Sequence, residues 1–320
     1  MGRPRPNVQA LNLLFVNRRR EATRQRIYAV AALGKDKGIN MRIDAHQHFM
    51  VYNAEEYVWV TDELSELKRT FLPADLVPLL ESINFDGCIA VQARNMVKEN
   101  DWLLGLAQTS PVIKGVVGWV DLTSPDVATQ LERYAGYPKM RGVRHALTDE
   151  PDDMFMLRDD FRRGIGKLRQ FDLTYDLLIF PKHIPYAIEL VQEHPDQKFV
   201  LDHIGNPNIR DGVMSPWDLG IAELGKFDNV FCKLSGMAFV AEWHNWKTED
   251  FTPYLDVVFN AFGPDRLIVG SNWPVCTVSG DYESVMNIVL TYVSRFSSET
   301  REKILGENCR RFYGIVDDSG

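Results

Sequence analysis

The sequence lacks the features that mark several classes of protein. No run approaches the roughly 18 apolar residues that a membrane-spanning helix needs. The chain also does not open with the basic segment, apolar segment and cleavage site of a secretory signal peptide. Walker motifs and glycine-rich phosphate loops are also missing. We therefore expect neither a membrane protein, nor a secreted protein, nor a nucleotide-binding one.

Cysteine is scarce as well. The four cysteines, Cys88, Cys232, Cys276 and Cys309, stand at spacings far from any C-x-x-C pattern. Reduced thiols in apolar strands pack as small hydrophobic side chains. This usage predicts a cytosolic protein.

Charge divides the chain into two parts. The net charge is -8, but residues 1–40 carry nine Lys/Arg and two acids, which leaves 27 basic and 42 acidic residues, a net -15, for the remainder. A surface of that sign repels nucleic acid, so we expect no nucleic-acid partner. The composition, 45% hydrophobic and 25% charged, is that of an ordinary globular protein.

The first 40 residues have two interpretations. Residues 11–33 could form a basic amphipathic helix like that of an organelle transit peptide, although the first 40 residues contain no serine. Alternatively they are a dispensable extension, because Met41 directly precedes the first strand. We favour the second interpretation and predict a basic, weakly ordered extension over residues 1–40 and a single domain over 41–320.

From Met41 onward, short apolar runs alternate with stretches of helical period, which is the pattern of a parallel sheet covered by helices. Predicted strands span residues 42–46, 87–92, 115–120, 140–145, 174–179, 199–203, 230–234 and 267–271. Predicted helices span residues 74–82, 101–109, 125–134, 159–170, 185–193, 217–226, 252–262, 282–295 and 299–311. Eight alternations predict an α/β fold of the (β/α)8 TIM barrel type. A doubly wound open sheet is the alternative, weakened by the missing phosphate loop.

Polar residues stand at the ends of most predicted strands, where barrels of this kind build their active sites. They are His46 and His48, Gln92, Trp119 and Asp121, Arg144 and His145, Asp202 and His203, Lys233 and Ser235, and Asn272 and Trp273. His46, His48 and His203 together could hold a metal ion with a position left for water, or could donate hydrogen bonds to an oxyanion without a metal.

Several polar residues also have a structural interpretation. Asp44 and Asp202 are expected to anchor backbone or imidazole groups rather than react, and Lys233 to pair with a buried acid. His183, His194 and His244 fall in predicted helices or loops, and we expect them on the surface or in packing.

Six ordered motifs resemble the amidohydrolase superfamily, and within it the branch of sugar-lactone hydrolases such as L-fuconolactonase and L-rhamnonolactonase. They are DAHQHF at 44–49, GVVGWVDL at 115–122, GVRH at 142–145, FVLDHI at 199–204, CKLSG at 232–236 and GSNWPV at 270–275. The similarity covers residues 41–315. It implies a distorted (β/α)8 barrel that hydrolyses a small sugar-acid lactone.

The resemblance also implies roles for individual residues. His46, His48 and His203 match the reaction centre, where some relatives bind one divalent metal, zinc or manganese, and others act without it. Arg144 and His145 match positions that face substrate oxygens. Gln92, Trp119 and Trp273 are the expected walls of the sugar pocket. Homo-oligomers are common for this architecture, although no segment identifies an interface.

The chain departs from the family at two positions. Asn272 replaces the aspartate of the usual Gly-Ser-Asp-Trp-Pro, and Asn206 replaces a common lysine. The first change matters because that aspartate is the expected base, and an amide has no usable basicity near neutral pH. Three explanations follow. Asn272 orients water while a metal-bound hydroxide or a histidine takes the place of the carboxylate, or it marks a sugar-acid-binding pseudoenzyme, or it is an introduced substitution that traps ligand. Metal-dependent decarboxylation of aromatic acids is a further interpretation of the function.

Overall fold

The computed structural model describes residues 41–316, and the predicted extension over residues 1–40 lies outside them. Eight parallel strands follow one another around a single sheet in chain order. They are β1 (Ile43–Gln47), β2 (Gly87–Val91), β3 (Ile113–Gly118), β4 (Met140–Ala146), β5 (Thr174–Leu178), β6 (Phe199–Leu201), β7 (Val230–Leu234) and β8 (Leu267–Val269). The predicted (β/α)8 barrel is confirmed.

One helix follows each strand. The helices are α1 (Pro73–Ser82), α2 (Val97–Thr109), α3 (Val127–Ala135), α4 (Asp159–Leu168), α5 (Ile184–Glu193), α6 (Trp217–Leu224), α7 (Thr252–Phe262) and α8 (Tyr282–Val293). A closing helical segment runs through α9 (Ser298–Glu302), a π-helical turn (Lys303–Glu307) and α10 (Asn308–Tyr313). Phe312 and Tyr313 of α10 pack against buried residues of the strands, among them Ile43 and Val200.

Helix starts depend on local capping chemistry. The Ser297 hydroxyl accepts from the backbone N–H of Thr300 at 3.2 Å, so α9 begins at Ser298, one residue before the predicted start at residue 299. Likewise α3 begins at Val127 rather than at the predicted Pro125, after a turn in which Ser124 Oγ accepts from the N–H of Asp126.

The barrel closes between β8 and β1 through very few backbone contacts. The N–H of Asn272 donates to the carbonyl of His46 at 2.8 Å, and the N–H of His48 donates to the carbonyl of Trp273 at 2.6 Å. Gly270 is needed here, because a Cβ at this position would lie 2.8 Å from Cβ of His46. The backbone contacts that close the barrel between β8 and β1 therefore belong to residues that the sequence predicts to be functional.

Among residues 41–316, no helix is long and apolar enough to cross a membrane. All four cysteines are free and buried. The cytosolic location, the absence of a nucleic-acid partner and the oligomeric state stay predictions.

Candidate active site

A cavity of about 350 Å³ opens at the carboxyl ends of the strands. His48 follows β1, Arg144 lies in β4, His203 follows β6 and Asn272 follows β8, and all four line this cavity. Each of the four side chains is nevertheless at least nine-tenths buried. Parallel strands that end at one rim of the barrel therefore bring together residues far apart in the sequence.

The three predicted imidazoles meet behind the cavity. The ring of His46 lies 5.0 Å from that of His48 and 4.4 Å from that of His203, measured between centroids. His46 Nε2 and His48 Nε2 are 3.3 Å apart. His46 is completely buried and is not among the residues that line the cavity, whereas His48 and His203 do line it.

The backbone at His203 is strained. His203 has a φ of 55° and Ile204 a φ of 49°, both in the left-handed region that side chains with a Cβ rarely adopt. This turn ends β6 at Leu201, so the predicted extension of the strand to residue 203 is wrong. Such strain persists where the surroundings fix it, and it is common at functional sites.

Partners on the far side of each ring fix its orientation. His48 Nδ1 donates to the carbonyl of Val91 at 2.9 Å, and His203 Nδ1 lies 2.8 Å from Ser235 Oγ. Burial lowers the pKa of His203 to about 4, and burial together with Arg144 lowers that of His48 to about 3. Both rings are therefore neutral near pH 7.

A buried charge network lies under the imidazoles. Lys233 Nζ lies 2.5 Å from Asp176 Oδ2 and 3.0 Å from Asp202 Oδ1, so the expected pairing of Lys233 with a buried acid is confirmed. Burial alone would raise the pKa of Asp202, but Lys233, His46 and Arg144 hold it well below its ordinary value. Tyr313 OH donates to Asp176 at 2.9 Å, which connects the closing helix to this network.

Arg144 links the network to the cavity wall. Its Nη2 donates to the Gln92 carbonyl at 2.6 Å and to Gln92 Oε1 at 2.8 Å, while Nη1 lies 3.3 Å from Asp202 Oδ2. A planar guanidinium reaches these acceptors from two separate nitrogens, which the single nitrogen of a lysine cannot do.

Asp44 anchors the backbone of the barrel joint. It accepts hydrogen bonds from the N–H of His46 at 3.2 Å, the N–H of Ser271 at 2.8 Å and the hydroxyl of Tyr282 at 3.1 Å. The anchoring role predicted for Asp44 is therefore confirmed.

Three of the predicted substrate-binding residues do not line the cavity. Trp119 Nε1 donates to His145 Nδ1 at 3.1 Å, and His145 Nε2 lies 2.7 Å from Glu150 Oε1. Trp273 is 2% exposed and packs edge-on against Phe71. Core packing and neighbouring polar groups already engage these three side chains. Their direct contact with a substrate therefore stays a prediction.

The sequence motifs assign no role to the other residues that line the cavity. They are Glu56, Val58, Trp59, Ala93, Arg94, Asn95, Ala146, Thr148, Asp149, Leu178, Phe180, Asn206, Gly236, Phe239 and Val275. Most lie in loops after the strands, where no periodic pattern indicates orientation. The sequence singled out Asn206 only as a departure from the family. Asp176 could have been noticed, because it is the one charged residue within the apolar strand β5.

The residues fit a divalent metal ion. His46, Asp202 and His203 form a cluster whose ligand atoms all lie within 4.8 Å of one another. Two nitrogens each about 2.0–2.1 Å from a tetrahedral zinc ion are about 3.3 Å apart, which matches the separation of His46 Nε2 and His48 Nε2. Neutral imidazoles with a hydrogen bond on the far nitrogen are also the usual form of histidine ligands.

Comparisons with known proteins agree with this site. The chain is 36% identical to the L-fucono-1,5-lactonase of Burkholderia multivorans, over 87% of this chain and 97% of the relative. It is 33% identical to the L-fucono-1,5-lactonase of Burkholderia ambifaria, over 88% and 98%. The crystal structure of a Burkholderia multivorans amidohydrolase with bound zinc superimposes with a TM-score of 0.83 at 37% identity, over 86% of this chain and 100% of that one.

These relatives favour hydrolysis over the pseudoenzyme and decarboxylase interpretations. The amidohydrolase family also matches residues 43–315, which include every strand of the barrel. The chain belongs to the amidohydrolase family.

Proposed function

We propose that this enzyme opens the ring of a small sugar-acid lactone by delivering water to the ester carbonyl. The observation that carries the proposal is the match to two lactonases over nearly their whole length, 97% and 98%, together with a cavity lined by His48, Arg144 and His203. L-Fuconolactone is the substrate that these two relatives indicate, and L-rhamnonolactone is the alternative that the sequence motifs imply.

In this mechanism His203 accepts the proton of the attacking water. It returns this proton to the ring oxygen of the lactone when the tetrahedral intermediate collapses and the ester C–O bond breaks. Its ring is neutral near pH 7 because burial lowers its pKa to about 4, and Ser235 engages the Nδ1 side of the ring. Nε2 is then the nitrogen available to the water. His203 in this way supplies a general base that the amide of Asn272 cannot supply.

Arg144 and Asn272 act on the other reactants. The guanidinium of Arg144 stabilises the oxyanion that forms as water adds to the carbonyl, because it lies in a buried site where charge–charge interactions are strong. Asn272 lines the same cavity and orients the water through its amide. A divalent cation held by His46 and His48 would supply further polarisation of the water or the carbonyl, and Nε2 of His203 would remain the base.

A panel of aldonolactones tests the proposal. Wild-type protein should open L-fucono-1,5-lactone or a close stereoisomer, measured by acid release with a pH indicator. Asn272→Asp should raise kcat by about tenfold to a hundredfold, because a carboxylate adds a general base where the amide has none.

Asn272→Ala is the matched control, and it should lower kcat by about tenfold through loss of one orienting hydrogen bond of about 1.4 kcal/mol. Failure of both the wild type and Asn272→Asp to open any lactone of the panel would refute the proposal. Carbon dioxide release from hydroxybenzoates would replace it with decarboxylation.

A further inference from the structure

Lys233 makes three polar contacts through a single ammonium group. Its Nζ lies 2.5 Å from Asp176 Oδ2, 3.0 Å from Asp202 Oδ1 and 3.1 Å from His46 Nδ1. An ammonium group has three N–H donors and no acceptor. Asp176 Oδ2 and His46 Nδ1 accept hydrogen bonds from this group, and Asp202 Oδ1 is paired with it by charge. The side chain of Lys233 is completely buried, so water does not compete.

The contact with Lys233 determines where the proton of His46 lies. A neutral imidazole carries one proton, on either Nδ1 or Nε2. Since His46 Nδ1 accepts from Lys233, the proton of His46 lies on Nε2. An imidazole that accepts a hydrogen bond at one nitrogen is neutral, because the imidazolium form carries protons on both nitrogens.

The contact between His46 and His48 agrees with this assignment. The carbonyl of Val91 can only accept, so His48 carries its proton on Nδ1 and a lone pair on Nε2. His46 Nε2–H then donates to His48 Nε2 across 3.3 Å. Hydrogen bonds run in one direction from Lys233 through His46 and His48 to Val91. Arg144 Nη1 is also 3.3 Å from His46 Nε2, but it has an acceptor in Asp202 Oδ2 at the same distance.

A cation between His46 and His48 needs the opposite arrangement. Both Nε2 atoms must then offer lone pairs, so the proton of His46 has to move to Nδ1. There it would face Asp202 Oδ1, 3.4 Å away, and also a donor N–H of Lys233. The hydrogen bond from Lys233 is lost in that state, and two donors oppose each other.

We propose that Lys233 is a positioning residue that holds His46 in the tautomer with its proton on Nε2, and that it thereby weakens the binding of divalent cations by His46 and His48. The separation of 3.3 Å between the two nitrogens suits both a hydrogen bond and a shared cation. Lys233 favours the hydrogen bond over the cation. The free energy of cation binding therefore includes the loss of the hydrogen bond from Lys233 to His46.

Nitrogen NMR of the chelator-treated full-length protein tests the first half. In protein labelled with ¹⁵N-histidine, the unprotonated nitrogen of His46 should be Nδ1, with the signal assigned by its loss in His46→Asn. In Lys233→Met the proton should move to Nδ1, where Asp202 accepts it. A proton on Nδ1 of His46 in the wild type would overturn the proposal.

Calorimetry with zinc chloride tests the second half. Lys233→Met should bind zinc about 10- to 100-fold more tightly than the wild type, the usual range for a change beside a ligand. Because Lys233→Met leaves Asp176 unpaired, the double variant Asp176→Asn/Lys233→Met keeps the buried charge balanced and should show the same gain.

Arg94→Met is the matched control, since it removes one positive charge from the cavity wall, where Arg94 contacts Glu56, Glu99 and Tyr57. Its zinc affinity should stay within about twofold of the wild type if the effect requires contact with the imidazole. An unchanged affinity in both Lys233 variants would refute the proposal. The inference concerns the site of the proposed lactonase, yet neither readout uses a lactone, so the two proposals fail separately.

Discussion

His145 and His203 are both buried histidines close to a strand end, but their surroundings differ. Trp119 and Glu150 engage the two ring nitrogens of His145, whereas His203 lines the cavity with only its Nδ1 side facing Ser235. A histidine whose nitrogens are both engaged is poorly placed to accept a proton from water. We therefore assign the general-base role to His203 and a supporting role to His145.

Replacing each by asparagine should separate them. His203→Asn should lower kcat for lactone opening by about 10²- to 10⁴-fold, the usual cost of losing a general base. His145→Asn should lower kcat by less than about tenfold. The loop after β4 loses the contact between His145 and Glu150, but no reacting group changes. Initial rates of acid release at saturating lactone measure both. Equal losses in the two variants would contradict the assignment.

Single residues were predictable from the sequence where a strand end carried a polar side chain. The spacing of His46 and His48 placed both rings on one side of β1, and the rings do converge. Asp176 lies inside a strand and Tyr313 in the closing helix, and neither position has a local signal for a contact across the barrel. Such contacts depend on tertiary packing, which a local pattern does not encode.

The turn after β7 supports His203 through a glycine. Gly236 has a φ of +68°, and a Cβ there would lie 2.5 Å from Cγ of His203. Gly212 has nearly the same φ, +66°, but has no atom within 4 Å of the equivalent Cβ position. The two glycines thus share a backbone requirement and differ in contact with the site.

Alanine at each position should give different results. Both Gly236→Ala and Gly212→Ala should lose about 1–2 kcal/mol of stability from the left-handed backbone. Only Gly236→Ala should also lower kcat/KM, by about a hundredfold or more, because the new methyl group displaces His203. Thermal melts and lactone kinetics measure the two effects. Full activity in Gly236→Ala would show that the ring position is not critical.

Elements were predicted well where helix and strand periods alternated, and less well at their ends. Strand β8 ends at Val269 rather than residue 271, because Ser271 turns to donate its N–H to Asp44. Helix α2 begins at Val97, four residues before the predicted start, and Glu99 in its first turn accepts from the N–H groups of Ala93 and Arg94. Long-range and loop hydrogen bonds set these ends, and no periodic pattern reveals them.

The stability of the whole barrel should depend on pH through its buried histidines. Burial lowers the pKa of His48 to about 3, that of His203 to about 4 and that of His46 well below its ordinary value. In the unfolded chain each titrates near pH 6.5. The unfolded state therefore takes up protons that the folded state refuses, and stability is lost as the pH falls through 6.5.

Asp44 acts in the opposite direction. Burial raises its pKa to about 6, so below that pH the folded state holds a proton that the unfolded state releases, which offsets part of the loss. The free energy of unfolding should thus begin to fall between about pH 7 and pH 6 and should continue to fall toward about pH 5, with a slope that Asp44 reduces. Each unbalanced proton contributes about 1.4 kcal/mol per pH unit.

Urea unfolding of chelator-treated protein at several pH values measures this dependence. His203→Asn should show a shallower fall than the wild type, because one of the three titrating rings is gone. A free energy of unfolding that stays constant or rises from pH 7 to pH 6 would contradict the assignment of neutral, buried imidazoles.

The narrow joint between the last and first strands has a consequence for how the enzyme loses activity. Two backbone hydrogen bonds close the barrel, from Asn272 to His46 and from His48 to Trp273. Three of these residues, His46, His48 and Asn272, also contribute side chains to the reaction centre. Local opening at this seam would scatter the centre while the other seven strand pairings remain intact. Mild denaturant should therefore abolish turnover before it melts the sheet, with amide exchange at Asn272 as the early reporter.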